Sequence, residues 1–304
     1  MALEMHTVGP ALMETVTAVH VSSRNRELSP SLFAWLSLAS TLLLFGILYG
    51  DVVVDLASEW WTQSEASYGM LVPPTALYIA YLRRSVTLAL PVRRDLRGLW
   101  LVAIGCFVFL TGKLAAEFFL ARISVVLVLA GIAWTFWGFA RFRTLAFPFV
   151  LLATMVPLPA IVYNTVASPL QLLASSAATS LAQALGISIY RDGNIIQLAT
   201  TSLGVEEACS GLHSLPALVV ASLLLGFLEA ASIPGRVLLC LLSVPLAIAV
   251  NVVRVTGTAL LADYQPDLAE GFYHAFSGWL VFVLGFALLW LIGRLIFTWT
   301  RTNR

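Results

Sequence analysis

The sequence predicts an all-α protein, a polytopic membrane bundle of about eight transmembrane helices with one short β-hairpin. Three observations predict it. Hydrophobic residues make up 60% of the 304 residues, charged residues make up only 11%, and the mean hydropathy is +0.91. Soluble domains carry about 25% charged residues, so this composition excludes a soluble protein. Long apolar runs recur along the chain, and most basic residues fall in alternate connections between them.

Eight apolar runs are candidate membrane spans. They cover residues 32–50, 70–82, 98–119, 123–140, 144–163, 211–228, 237–262 and 275–296. The first run is long enough to remain as an anchor, so we expect a cytoplasmic tail over 1–31 and a single transmembrane domain over 32–304. The second run is short and contains Pro73-Pro74, so we expect it to be broken or steeply packed. Residues 168–186, rich in Ala, Ser and Gln, predict a helix that lies in the interface or re-enters; a further span is the alternative.

Basic residues orient these spans. Thirteen of the 17 basic residues fall on one side when eight spans alternate, and the positive-inside rule makes that side cytoplasmic. Connections on the opposite side are acidic, with Asp51, Asp55 and Glu59 in one of them. Both termini are therefore expected in the cytoplasm. The net charge of +1 argues against nucleic acid as a partner.

Cysteine and histidine are few and scattered. The three cysteines and four histidines form no disulfide or zinc pattern, so we expect neither a metal nor a cofactor. Cys106 and Cys240 lie in apolar helical runs and are interpreted as small core hydrophobes.

One stretch predicts a hairpin. Ile187 and Ile189 alternate with polar residues before Asp192-Gly193, and the alternation resumes at Ile196. An Asp-Gly pair between alternating apolar residues favours a tight turn. In the eight-span arrangement this hairpin lies outside the cytoplasm, immediately ahead of Cys209.

The segment Glu207-Ala208-Cys209-Ser210-Gly211 stands where a polar segment enters the sixth apolar run. A helix N-terminus stabilises a thiolate, and backbone amides around Ser210 and Gly211 are placed to hold an oxyanion. Neighbouring carboxylates such as Glu207 act against this by raising the pKa of a thiol. A cysteine at a helix start with no chemical role is the alternative.

Arg254 lies about 12 Å along the seventh run from its outer end, at 1.5 Å per residue. Asn251 and Thr258 share its helical face and form one polar stripe. An arginine facing lipid costs about 3 kcal/mol, so we expect Arg254 to face the bundle. It either stabilises negative charge developing on a substrate or forms an interhelical ion pair, with Glu207 as the candidate partner.

Two histidines compete for the role of general acid and base. His274 begins the last span at the outer level of Cys209, and a neutral imidazole near pH 7 suits proton transfer. His213 follows Cys209 by four residues, so a helix would place both on one face. Packing or an interfacial position explains either histidine equally well. Physical reasoning from the residues leaves both open.

These motifs resemble the exosortase/archaeosortase family of integral-membrane cysteine proteases and transpeptidases. The resemblance runs through most of the chain, in Trp60, Tyr68-Gly69-Met70-Leu71-Val72-Pro73, Phe147-Pro148, Pro157-Leu158-Pro159, Gly193-Asn194-Ile195-Ile196, Glu207-Ala208-Cys209-Ser210-Gly211-Leu212, Asn251-Val252-Val253-Arg254, and His274 with Gly278-Trp279. The Ala-Cys-Ser-Gly core with the later Asn-x-x-Arg and His elements carries most of it. Tyr68 departs from the pattern, since many bacterial members have His before this glycine.

The resemblance implies a specific activity. Family members are thought to cleave exported proteins at a C-terminal sorting signal, which consists of a short motif such as Pro-Glu-Pro, a membrane helix and a basic cluster. The family's proposed catalytic residues are a cysteine, an arginine and a histidine, which fall on Cys209, Arg254 and His274 here. The implied partners are such substrate proteins and membrane lipid, at the outer face of the bacterial inner membrane.

Two interpretations from other classes compete with this one. A transporter would use Arg254 to bind an anion and leave Cys209 incidental. A non-catalytic membrane component of polysaccharide or protein export would need none of the three residues. The sequence leaves the substrate motif, the acceptor and the oligomeric state open.

Overall fold

The computed structural model describes residues 32–63, 66–198, 202–204, 214–229, 232–265 and 271–302. The helices are α1 (Leu32–Thr62), α2 (Val72–Leu82), α3 (Arg84–Ala89), α4 (Gly98–Leu114), α5 (Phe118–Trp137), α6 (Phe139–Thr144), α7 (Ala146–Ala153), α8 (Ala160–Ala184), α9 (Ser214–Leu228), α10 (Ile233–Tyr264) and α11 (Gly271–Thr302). A 3₁₀ helix, Ser67–Leu71, precedes α2. Strands β1 (Tyr190–Asp192), β2 (Ile195–Gln197) and β3 (Ser202–Gly204) follow α8. The chain divides into two compact units, Met1–Gly50 and Asp51–Arg304.

The expected helical membrane class is confirmed. Within the described residues, four helical segments are long and apolar enough to cross a membrane: Trp35–Thr62, Phe118–Trp137, Ile233–Tyr264 and Phe276–Thr298. Gly98–Leu114 and Leu215–Leu228 are shorter apolar helices. The count of eight spans stays a prediction, and the predicted cytoplasmic tail over 1–31 lies outside the described residues.

The first helix is longer than its apolar run. We expected a span over 32–50, but α1 continues to Thr62 through Asp51, Asp55 and Glu59. The extension contains no proline, and Asp51 and Asp55 are exposed on it. A change in polarity marks where apolar surface ends, but it does not by itself stop a helix.

The two prolines of the second run open a helix. The 3₁₀ helix ends at Leu71, and Pro73 and Pro74 lie in the first turn of α2. The missing proline N–H groups cost nothing there, because first-turn N–H groups have no partner within the helix. The expected broken run is therefore an 11-residue helix with a proline start.

The fifth predicted run is divided. Residues 144–163 contain the end of α6, the short helix α7 and the start of α8, with a non-helical stretch between Ala153 and Ala160. Pro157 and Pro159 explain the break, since each lacks an N–H group and restricts the residue before it. Residues 168–184 then belong to one 25-residue helix, α8, so the helix predicted over 168–186 forms part of a longer one. Whether it crosses the membrane stays open.

Helices α4 and α5 form a close antiparallel pair. Gly98, Gly105 and Gly112 are buried at seven-residue intervals along α4. A Cβ atom at Gly105 would lie 2.6 Å from Val128 Cγ2, and one at Gly112 would lie 2.6 Å from the Ala121 nitrogen. The absence of side chains lets the two backbones approach, as small residues do in membrane helix pairs.

The predicted hairpin is present, with a different turn. Strands β1 and β2 pair with Asp192 opposite Ile195, so the two-residue loop is Gly193-Asn194. Gly193 has φ 61°, which matches the glycine-first type II′ turn. The Asp192-Gly193 pair therefore predicts the hairpin correctly, but the turn residues are Gly193-Asn194, one position further along the chain. The third strand, β3, pairs with β2 and was not predicted.

Among the described residues of the second unit, buried side chains form three clusters. The first, here called the sheet core, joins the sheet to α8 and α10; its members are Ala178, Ala182, Ile189, Ile196, Leu198, Val255 and Ala262. A second cluster joins the end of α1 to α2, α5, α7 and α9; it includes Leu56, Val72, Val126, Leu151 and Phe227. The third joins α9, α10 and α11 through Leu218, Leu239, Ala247, Leu289 and Phe297.

Candidate functional site

The Arg254 side chain packs against α11. A Cβ atom at Gly278 would lie 3.3 Å from the Arg254 Nη2 atom and 3.4 Å from its Cζ atom. The guanidinium group therefore occupies space that any larger residue at position 278 would compete for. Arg254 is half-buried, and its Nε atom is fully buried. The arginine thus faces the bundle, as its desolvation cost requires.

Position 274 lies one helical turn before this contact. His274 is in the first turn of α11 (Gly271–Thr302), four residues ahead of Gly278. Residues four apart share a helix face, and four residues span about 6 Å along the axis. Helix α11 therefore presents position 274 on the face that contacts Arg254.

The polar stripe of α10 lies inside the protein. Asn251 and Thr258 are both buried, at 2% and 5% exposure. The Thr258 hydroxyl donates a hydrogen bond to the Arg254 carbonyl over 3.0 Å. This hydrogen bond engages the Thr258 hydroxyl with the backbone of its own helix. The side-chain amide of Asn251, which is also buried, lies within one helical turn of Arg254.

The sheet packs against α10, the helix that carries Arg254. Val255, the next residue of α10, belongs to the sheet core together with Ile196 of the central strand β2. The Gln183 side chain of α8 also donates to the Ile189 carbonyl, just before β1. Strand β3 ends at Gly204, five residues before Cys209 in the sequence. The sheet that precedes this segment in the chain therefore packs against the helix that carries Arg254.

The early motifs form a separate structural cluster. The Trp60 indole N–H donates to the Met155 carbonyl over 3.1 Å, just ahead of Pro157. A side chain at Gly69 would collide with the Trp60 ring. Tyr68 packs against the same cluster, and burial raises the pKa of its phenol above the ordinary value. Near neutral pH Tyr68 is therefore a protonated hydrogen-bonding group, unsuited to act as a base.

The predicted residues Cys209, Glu207, Ser210, Gly211 and His213 lie outside the described residues. Of the predicted site residues, the structure describes Arg254 and Asn251 on α10, and it places the backbone of His274 one turn before Gly278, which Arg254 contacts. Their catalytic roles, and the choice between His213 and His274, stay predictions.

Gly278 is a site residue that the sequence did not predict. It lies in the Gly278-Trp279 motif, four residues after His274, and it contacts Arg254. A glycine one turn after a histidine, on an otherwise apolar helix, is the signal that points to a close approach by another group.

Comparison with known proteins identifies the family. Residues 60–291, well over half of the chain, match the family model described as Transmembrane exosortase (Exosortase_EpsH). The chain belongs to the transmembrane exosortase family. The matched region includes Trp60, Cys209, Arg254 and His274, and it extends beyond Gly278. No match was found among curated proteins or among solved structures.

Membership in the exosortase family and four apolar helices establish a membrane protein. The family also points to a sorting-related function and is consistent with a protease or transpeptidase.

Proposed function

We propose that this exosortase is a membrane cysteine protease or transpeptidase that cleaves the C-terminal sorting signal of exported proteins. The observation that carries the proposal is the contact between the Arg254 guanidinium and Gly278, one turn from His274. A fixed guanidinium beside a histidine-bearing helix turn suits stabilisation of an oxyanion, because it supplies directed N–H donors and positive charge at low dielectric.

In the proposed reaction, the Cys209 thiolate attacks the scissile carbonyl carbon and forms a C–S bond. Arg254 stabilises the negative charge on the tetrahedral oxygen. The intermediate collapses, the C–N bond breaks, and His274 protonates the leaving amine. Water or an acceptor amine then attacks the thioester and loses its proton to His274. Cys209 leaves as the thiolate, and the enzyme returns to its starting state.

The proposed membrane arrangement has eight spans, with both termini in the cytoplasm and the site at the outer face of a bacterial inner membrane. The positive-inside distribution of arginines supports this orientation. A substrate with a basic end on the cytoplasmic side of its membrane helix would then present its motif at the level of Arg254. Domain boundaries of 1–31 and 32–304 belong to the same proposal.

The test is co-expression with a protein that carries a sorting signal, followed by immunoblotting for its size. We expect the parent chain to shorten the substrate, and Cys209→Ala and Arg254→Ala each to abolish the shift. Cys106→Ala and Cys240→Ala are matched controls, because both residues are free cysteines outside the proposed site. Processing that survives Cys209→Ala would remove the thioester from the mechanism. No shortening of the substrate by the parent chain, together with anion transport that requires Arg254 but not Cys209, would favour the transporter.

Mass spectrometry of the product distinguishes the two acceptors. Hydrolysis leaves a free carboxylate at the new terminus, whereas transfer adds the mass of the acceptor amine. His213→Ala and His274→Ala separate the two histidines in the same assay, and we expect only His274→Ala to remove processing.

A further inference from the structure

We propose that the outer edge of β3 binds an extended segment of the protein substrate as a fourth strand of the sheet. The proposal rests on the proposed function and adds to it the conformation in which the substrate is held. Three features of the described residues carry it: the hydrogen-bonding register of the sheet, the position of β3 along the chain, and the packing of the sheet against α10, which carries Arg254.

The register determines which backbone groups face the edge. In a two-residue hairpin, the residues that flank the loop form a hydrogen-bonded pair, here Asp192 with Ile195. Hydrogen-bonded pairs alternate along an antiparallel ladder, so the N–H and C=O groups of Ile196 point to its β3 partner Leu203. Those of Ser202 and Gly204 consequently point away from β2, to the outer edge.

The two edge strands of the sheet, β1 and β3, differ in their neighbours. With the strand order β1-β2-β3, the described pairing of β3 is with β2 alone. Strand β1 lies at the opposite edge and begins just after the residue whose carbonyl accepts from Gln183 of α8. An edge strand presents a row of donors and acceptors to another chain, and extended peptides commonly bind by adding to such an edge.

The position of β3 indicates a substrate as the occupant. Gly204 ends the strand five residues ahead of Cys209 in the sequence, so the chain itself ties this edge to the proposed nucleophile. Ile196 of the central strand packs in the sheet core with Val255, the neighbour of Arg254. A peptide held by main-chain hydrogen bonds exposes each of its carbonyls at a fixed level, which is what attack on one chosen bond requires.

The first experiment removes one edge donor. Ser202→Pro deletes the outward N–H group and keeps the Leu203 pairing with β2, because proline is tolerated in an edge strand when its nitrogen faces outward. We expect the KM for a sorting-signal substrate to rise about tenfold with kcat largely retained, since one main-chain hydrogen bond to the bound substrate is lost. Ser202→Ala retains the N–H group and measures the effect of losing the hydroxyl alone.

Arg191→Pro is the matched control on the opposite edge. By the same register, the Arg191 N–H group points away from β2 on the β1 side. Arg191→Pro therefore deletes an outward donor from the same sheet, and Arg191→Ala accounts for the lost side chain. We expect both to process substrate like the parent chain. Equal effects of proline at both edges, or no effect of Ser202→Pro, would overturn the proposal.

A second measurement does not depend on a folded variant. Synthetic substrates that carry a single N-methylated amide at successive positions are offered to the parent enzyme. Strand addition predicts that methylation slows processing at alternate positions, because every second N–H of an added strand faces the enzyme. Slower processing that does not follow this two-residue period would also overturn strand addition. Either negative outcome leaves Cys209-dependent cleavage of the unmodified substrate in place, whereas failure of that cleavage would count against the proposed function itself.

Discussion

Arg254 and Gly278 show how one missing side chain positions a charged group. The guanidinium lies against α11 because position 278 has no Cβ atom. The physical cost of a lipid-facing arginine predicted that Arg254 would turn inward, and it does. The residue that Arg254 contacts, Gly278, depends on how α10 and α11 pack, and the pattern of residues along one helix does not predict that packing.

Gly278→Ala tests this positioning. A Cβ atom at 3.3 Å from Nη2 requires the guanidinium to move by a few tenths of an ångström. We expect processing to slow by about 3- to 10-fold, because small displacements of a transition-state donor are costly. Gly278→Val should slow it further.

Gly257→Ala is the control, since nothing lies within 4 Å of a Cβ atom at that position of α10. Thermal unfolding in detergent verifies that each variant is folded. Full activity of Gly278→Val would show that the Arg254 position is unimportant.

Tyr68 makes stability sensitive to alkaline pH. Its pKa is raised by burial, so the folded state holds the phenolic proton more tightly than the unfolded chain does. Below the ordinary tyrosine pKa of about 10, Tyr68 is protonated in both the folded and the unfolded state, so its ionisation does not change the free energy of unfolding. As pH rises above that value, the unfolded chain ionises first and the free energy of unfolding falls.

We expect Tyr68→Phe to flatten this alkaline loss of stability, measured as thermal unfolding across the range from neutral pH to above the tyrosine pKa. Tyr264→Phe, at an exposed position, should leave the parent profile unchanged. Parallel profiles for the parent and Tyr68→Phe would contradict the assignment.

At the scale of elements, the pair α4–α5 depends on its glycines. Gly105→Ala places a Cβ atom 2.6 Å from Val128 Cγ2 and 3.1 Å from the Val128 nitrogen. Overpacking of this kind costs about 1–3 kcal/mol. We expect a lower unfolding temperature for Gly105→Ala. Cys106→Leu adds a larger side chain at the exposed next position and should have little effect.

The elements also show what sequence reasoning captures. Apolar runs located most of the helices, because burial in lipid requires about 20 apolar residues in succession. Helix ends were less accurate: α1 passes through Asp51 because carboxylates do not break helices, whereas Pro157 and Pro159 divide a run that looked continuous. The hairpin was found from its turn residues, but β3 was missed because three residues, Ser202-Leu203-Gly204, are too few to show an alternation.

The candidate site was predicted to a similar extent. The side of α10 that carries Arg254 and Asn251 follows from the cost of burying polar groups in lipid. The contact with Gly278 and the link from β2 to Val255 are tertiary, so they appear only when the helices are packed. Substitution of His213 and of His274 in the processing assay distinguishes the two histidines.

At the scale of the whole molecule, the helices assigned to the eight proposed spans differ in length. Helix α2 has 11 residues, about 16 Å at 1.5 Å per residue, whereas α10 has 32. A bilayer core is about 30 Å thick, so α2 is too short to cross it unaided. Leu77 and Tyr78 of α2 are nonetheless exposed, at 72% and 59%.

A short helix with an exposed apolar surface produces hydrophobic mismatch. In the proposed eight-span arrangement, lipid beside α2 must compress to meet its ends, and each ångström of compression carries an elastic cost. This elastic cost is then smallest in thin bilayers. We therefore expect the rate of processing to depend on acyl-chain length, with faster processing in myristoyl lipids than in erucoyl lipids. Equal rates in both would mean that α2 does not contact the bilayer.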